Sequence, residues 1–139
     1  MRIMAIDYGD AHTGVAVCDP TGLLTGFTTT VDGYRPEAVA ARIADLAREH
    51  GAEELVLGHP LNMDGTRGPR AEKAEEFARL LETETGLPVT LWDERRTTID
   101  AHQILLNNGK NAKKRKKTVD AVAASLILEG YLTFRRGRA

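Results

Sequence analysis

Ile3-Met4-Ala5-Ile6-Asp7, followed after Tyr8-Gly9 and a short turn by Thr13-Gly14-Val15-Ala16-Val17-Cys18, decides the fold. Each is an apolar run too short for a helix and bounded by turn formers, so each is expected to be a strand. Asp19-Pro20-Thr21-Gly22 sets proline second and glycine fourth in a turn, the type I preference, and a third strand should follow through Phe27 to Val31. Links this short join antiparallel neighbours, so the first 31 residues predict a three-stranded meander.

Past the meander the apolar period lengthens to that of a helix. From Pro36, Val39, Ile43, Leu46 and Ala47 share one face while Glu37, Arg42, Asp45 and Glu49 occupy the other, and Gly51 ends the pattern. Glu54-Leu55-Val56-Leu57-Gly58 reads as a buried strand. A loop of turn formers, Asn62 to Pro69, leads to a second helix through Ala74, Phe77, Ala78 and Leu81, which Gly86 and Pro88 terminate. Pro88 to Trp92 is a fifth strand delivering Asp93-Glu94-Arg95. Thr97 with Asp100 suggests a capped start to a third helix, closed by Asn107-Asn108-Gly109. A basic segment, Lys110 to Lys117, then precedes a last helix from about Thr118 to Phe134, with residues 135–139 expected to fray. Parallel strands need helical crossovers, so the whole predicts an α/β fold: one five-stranded mixed sheet, three strands antiparallel and the later ones parallel, with helices on both faces.

The 139 residues, 42% of them hydrophobic, suffice for one domain with a real core, expected to span residues 1–139. Cys18 is the only cysteine, which rules out an intrachain disulfide and a cysteine-rich zinc site. No signal-peptide pattern opens the sequence and no apolar stretch approaches the ~20 residues of a membrane span, so a soluble, cytoplasmic protein is expected. The net charge of −1 conceals an asymmetry: residues 1–91 carry 8 basic and 15 acidic side chains, residues 92–139 carry 11 and 5. A C-terminal part of that sign points to a polyanionic partner.

Functional groups in an open α/β sheet gather beyond the carboxyl ends of the parallel strands, where Asp7 and Glu94 both fall. A third acid, Asp120, lies in the last helix, whose polar residues run along Ser125, Glu129 and Thr133. At ~100° per residue, Asp120 stands about 180° from Glu129 and is expected to face inward. A buried carboxylate without a partner is costly, and three of them together repel unless a cation joins them. Hard oxygen ligands suit Mg²⁺ or Mn²⁺, and two such ions ~3.5–4 Å apart would serve an in-line phosphoryl displacement. Periodicity leaves open whether Asp93 or Glu94 is the acid from the fifth strand. Lys113-Lys114-Arg115-Lys116-Lys117, just before Asp120, is expected to hold flanking phosphates with a strong salt dependence.

Four segments in order carry a resemblance. They are Ile6-Asp7-Tyr8-Gly9 with Thr13 to Val17, Gly58-His59-Pro60-Leu61-Asn62-Met63-Asp64-Gly65-Thr66, Asp93-Glu94-Arg95-Arg96-Thr97-Thr98, and Lys113 through Ala124. Over nearly the whole chain they resemble the YqgF (RuvX) family of RNase H-like proteins, described as Holliday-junction-resolvase-like and as nucleases processing the 5′ end of pre-16S ribosomal RNA. The resemblance implies that Asp7, Glu94 and Asp120 are catalytic metal ligands for Mg²⁺ or Mn²⁺, and it chooses Glu94 over Asp93. It also implies nucleic-acid contacts from Asn62, Arg67 and Arg95. Two departures from the family pattern, Asp10-Ala11-His12 and His59, leave the substrate contacts of those positions open. The expected function is metal-dependent cleavage of a structured RNA, most naturally the ribosomal precursor, by a monomer or weak homodimer. A resolvase acting on branched DNA and a non-catalytic nucleic-acid-binding factor are the alternatives. A sugar-kinase-like ATPase, whose domains also open with Asp-x-Gly, needs two such domains, and this chain has room for one.

Overall fold

The computed structural model describes residues 1–22, 24–96 and 112–137, with the backbone alone at Arg96 and over 112–120. Its strands are β1 (Ile3–Asp7), β2 (His12–Cys18), β3 (Thr25–Asp32), β4 (Glu54–His59) and β5 (Val89–Asp93); its helices are α1 (Pro36–His50), α2 (Pro69–Thr85) and α3 (Ala112–Gly137). One sheet runs β3-β2-β1-β4-β5, antiparallel across β1/β2 and β2/β3 and parallel across β1/β4 and β4/β5. That is the mixed five-stranded sheet expected from the sequence, and the turn at Asp19–Gly22 closes with Gly22 N–H donating to the Asp19 carbonyl at 2.9 Å.

Strand alternation divides the core. Met4, Ile6, Val15, Val17, Leu55 and Leu57 pack beneath α1 and α2 with Val39, Ile43, Phe77 and Leu81. Ile3, Ala5, Ala16, Val56 and Trp92 pack beneath α3 against Ala124, Ile127, Leu128, Tyr131 and Leu132. The buried residues of α3 therefore recur at three- and four-residue spacing along one stripe. Trp92 meets Tyr131 and Phe134 edge-on, with ring centroids 5.7 and 5.5 Å away.

The structure corrects the last helix at both ends. It begins at Ala112, so the run Lys113–Lys117 is helical rather than a segment ahead of the helix. Lysine and arginine are good helix formers and no glycine or proline separates Ala112 from Thr118, so local propensity carries the helix back through the charges. At the other end it continues to Gly137 instead of fraying after Phe134, because Arg135 Nη1 donates to Glu54 Oε1 at 2.7 Å and ties the last turns to β4. The helix expected between Thr97 and Asn107 lies outside the described residues. Among the described residues, no helix is long and apolar enough to cross a membrane.

Candidate active site

β1, β4 and β5 run parallel and so end together at one edge of the sheet. Ile6 stands opposite Leu57, and Gly58 opposite Trp92, which makes Asp7, Gly58 and Glu94 neighbours there. By alternation from Ile3 and Ala5, Asp7 leaves β1 on the α3 side of the sheet. Glu94 opens a 3-10 turn directly after β5. The carboxyl groups of Asp7 and Glu94 share a hydrogen bond.

Burial pushes the Asp7 carboxyl well above its ordinary value of 3.8, and the Glu94 charge and hydrogen bond push it further. Glu94 is also raised, again mainly by burial, with its bond to Asp7 and the charge of Arg70 acting in opposition. Burial and carboxylate repulsion thus hold both carboxyls above their ordinary values, so each keeps its proton more readily than a free carboxyl does. A pair of half-buried, hydrogen-bonded hard oxygen donors also fits a divalent cation, which would displace the proton between them and relieve the repulsion. Asp7 and Glu94 are the residues that could hold it; among the described residues no third acid or histidine completes a cluster with them.

Two glycines make room. A Cβ at Gly58 would lie 2.7 Å from Glu94 Oε1 and 2.8 Å from Ile127 Cδ1, so only a bare backbone lets the Glu94 carboxyl rest over β4. A Cβ at Gly9 would sit 2.2 Å from the His12 carbonyl oxygen, which the tight turn out of β1 brings inward.

Asp93 takes a different course from Glu94. Arg95 grips it, with Nη2 2.7 Å from Oδ2 and Nε 3.0 Å from Oδ1. The structure therefore brings Glu94, rather than its neighbour, to Asp7. Asp120 falls within α3, four residues before Ala124 and seven before Ile127. Its side chain, like those of Lys113, Lys114, Arg115, Lys116 and Lys117, lies outside the described residues.

Asn62, Arg67 and Arg95, expected to touch nucleic acid, all have hydrogen-bond partners within the protein. Asn62 Nδ2 donates to Thr66 Oγ1 at 2.9 Å, and Thr66 binds Asp64 Oδ1 through both its amide and its hydroxyl. Arg67 clasps Glu75 through Nε at 2.8 Å and Nη2 at 2.5 Å, while Arg95 Nη1 reaches the Met63 carbonyl at 3.3 Å. His59 leaves β4 on the α2 side and binds Glu75 through Nε2 at 2.6 Å, a tie between strand and helix away from the two acids. Asp10 is exposed and pairs with Lys73 at 3.5 Å; His12 Nδ1 pairs with Asp32 Oδ1 at 2.8 Å.

Arg70 is a site residue that the sequence patterns did not mark. It sits in the first turn of α2, lines the cleft that Asp7 and Glu94 open into, and lowers both of their pKa values by its charge. A cation at a helix N-terminus opposes the helix dipole, so its position is better explained by the acids it faces than by the helix that carries it. The one signal in the sequence is its place right after Gly68-Pro69, at the start of the helix that follows β4.

The sheet order and the placing of the helices are those of the RNase H-like fold. Over 100% of this chain and 98% of the other, the fold superposes on Thermus thermophilus RuvC in complex with Holliday junction substrate, with a TM-score of 0.64 and 18% identity. The profile of the RuvX family, described as Holliday junction resolvase, matches residues 1–134, and the chain belongs to that family. A relative from Syntrophus aciditrophicus is 46% identical across 95% of this chain and 88% of its own length. One from Halothermothrix orenii is 42% identical across 97% and 96%. Both carry the name "Putative pre-16S rRNA nuclease".

Proposed function

We propose that this protein is a divalent-metal-dependent nuclease that hydrolyses phosphodiester bonds in structured RNA, with the 5′ region of the 16S ribosomal RNA precursor as substrate. The observation that carries it is the half-buried, hydrogen-bonded Asp7–Glu94 pair at the carboxyl edge of β1 and β5, in one cleft with Arg70. The names of relatives above 40% identity over nearly the full chain support the RNA.

Asp7 and Glu94 would hold the metal, Mg²⁺ or Mn²⁺. Asp120 joins them as third ligand, on the strength of the helical spacing that sets it on the stripe of Ala124 and Ile127. Bound there, such ions supply activation of a water and stabilisation of the leaving oxygen. Arg70 draws the scissile phosphate towards the acids and offsets its charge. Lys113–Lys117 neutralise flanking phosphates, and Asn62 and Arg67 from the loop before α2, with Arg95 from the turn after β5, contact the substrate backbone. Phosphate contacts of this kind position a strand and carry little sequence information.

Branched DNA is the second reading, favoured by the description of the family profile. Incubating the protein with a 5′-extended 16S precursor fragment and with a four-way DNA junction, each in Mg²⁺, Mn²⁺ or EDTA, separates the two. Metal-dependent cleavage of the RNA alone is expected; cleavage of the junction alone transfers the assignment to a resolvase. Binding without cleavage under every metal condition leaves a non-catalytic binding factor.

A further inference from the structure

Beside the acid pair, on the opposite face of β1, lies a second cavity of ≈ 500 Å³ between α1, α2 and the turn after β1. Its size falls in the ~300–1,000 Å³ range of small-molecule sites. Tyr8, Tyr34, Phe77, Leu80 and Pro36 supply its apolar walls. Tyr8 lies flat on Phe77, with ring centroids 4.0 Å apart and planes 8° from parallel, so α2 holds that wall rigid. Tyr34, by contrast, is 81% exposed, an aromatic ring left in water at the cavity mouth.

This cavity and the acidic cleft share Tyr8, Asp10 and Lys73. Tyr8 is the residue after Asp7, just past the end of β1, so whatever fills the cavity touches the neighbour of the proposed reaction centre. Its polar rim is mostly acidic: Asp10, Glu37 and Glu76, with Lys73 already paired to Asp10. Such a rim repels a phosphate or a carboxylate ligand and admits a neutral ring, whose amino groups can donate to carboxylates.

We propose that this cavity receives one unpaired nucleobase of the substrate, adjoining the phosphate held at Asp7 and Glu94, and stacks it against Tyr34. The proposal rests on the nuclease reading and adds a requirement to it: the strand must be unpaired next to the cut. Recognition of single-stranded RNA commonly works this way, with a splayed base on an aromatic face and the phosphates on a separate charged surface.

Tyr34 is exposed enough to be truncated without disturbing the core. The test compares wild type with Tyr34→Ala on a single-stranded RNA oligonucleotide and on a series bearing one abasic nucleotide moved along it, reading affinity in Ca²⁺ and cleavage in Mn²⁺. One abasic position next to the cut is expected to weaken wild-type binding on the order of tenfold. Tyr34→Ala should weaken binding of the intact oligonucleotide by a similar factor and be insensitive to that abasic position. Equal loss at every abasic position, or losses from Tyr34→Ala and the abasic nucleotide that simply multiply, overturns the cavity while metal-dependent cleavage leaves the nuclease intact. Absence of both binding and cleavage on intact RNA overturns both.

Discussion

At the scale of single residues, Asp7 is a carboxylate whose function conflicts with stability. Its folded pKa lies above the ordinary 3.8, so the native state is favoured when the group is protonated and loses that advantage as pH rises through the folded value. Asp7→Asn should therefore raise the Tm of the metal-free protein at neutral pH, by a margin that shrinks towards about pH 4. It should also remove the Mn²⁺-induced rise in Tm and lower cleavage by at least on the order of a hundredfold. Thermal melts in EDTA and in Mn²⁺ across that pH range, with cleavage assays beside them, check all three. Gly58 is the steric counterpart. Gly58→Ala drives a methyl group into the Glu94 carboxyl and Ile127, an overpacking expected to cost about 1–3 kcal/mol in denaturant unfolding. Cleavage should fall further than that loss explains, since Glu94 is the group displaced.

Among elements, the connection from β4 to α2 is organised by Glu75. Its bond to Arg67, and then its bond to His59, hold its carboxyl down to about 2 against an ordinary 4.5. A depressed folded pKa gives stability that is complete above about 4.5 and disappears as pH falls through about 2. Glu75→Gln is accordingly expected to melt lower than wild type at neutral pH and to converge with it near about pH 2, which scanning calorimetry at stepped pH measures. The start of α3 poses a contrasting case. Five consecutive basic residues follow Ala112 with no acid in the first turn, where the helix dipole favours negative charge. Local propensity makes the helix against that dipole.

Across the whole molecule, charge is segregated: the first 91 residues carry the acidic excess and the last 48 the basic one. Nucleic acid bound through phosphates responds to such a field by counterion release. Replacing Lys113, Lys114, Arg115, Lys116 and Lys117 by Gln should weaken binding to RNAs of different sequence alike. It should also flatten the plot of log affinity against log salt by roughly 0.7 for each phosphate that no longer meets a cation. A variant with unchanged slope would take the basic run off the substrate. Much of this was legible in the sequence. The meander, the parallel crossovers, the places of α1 and α2 and the asymmetry of charge all follow from short-range pattern: period two against period 3.6, turn formers at fixed offsets, and glycines at Gly51 and Gly86 where helices stop. What periodicity could not decide was which acid after the fifth strand meets Asp7; there the sequence offered only the family resemblance. Asp93 and Glu94 are adjacent and chemically alike, and only the register of β4 against β5, with a glycine beneath, turns Glu94 to Asp7 and leaves Asp93 to Arg95. Arg70 was hidden for the same reason, because the acids it faces lie 63 and 24 residues away along the chain. Local pattern fixes how each segment folds upon itself; the meeting of two distant carboxyls depends on packing, and exists only once the strands are side by side.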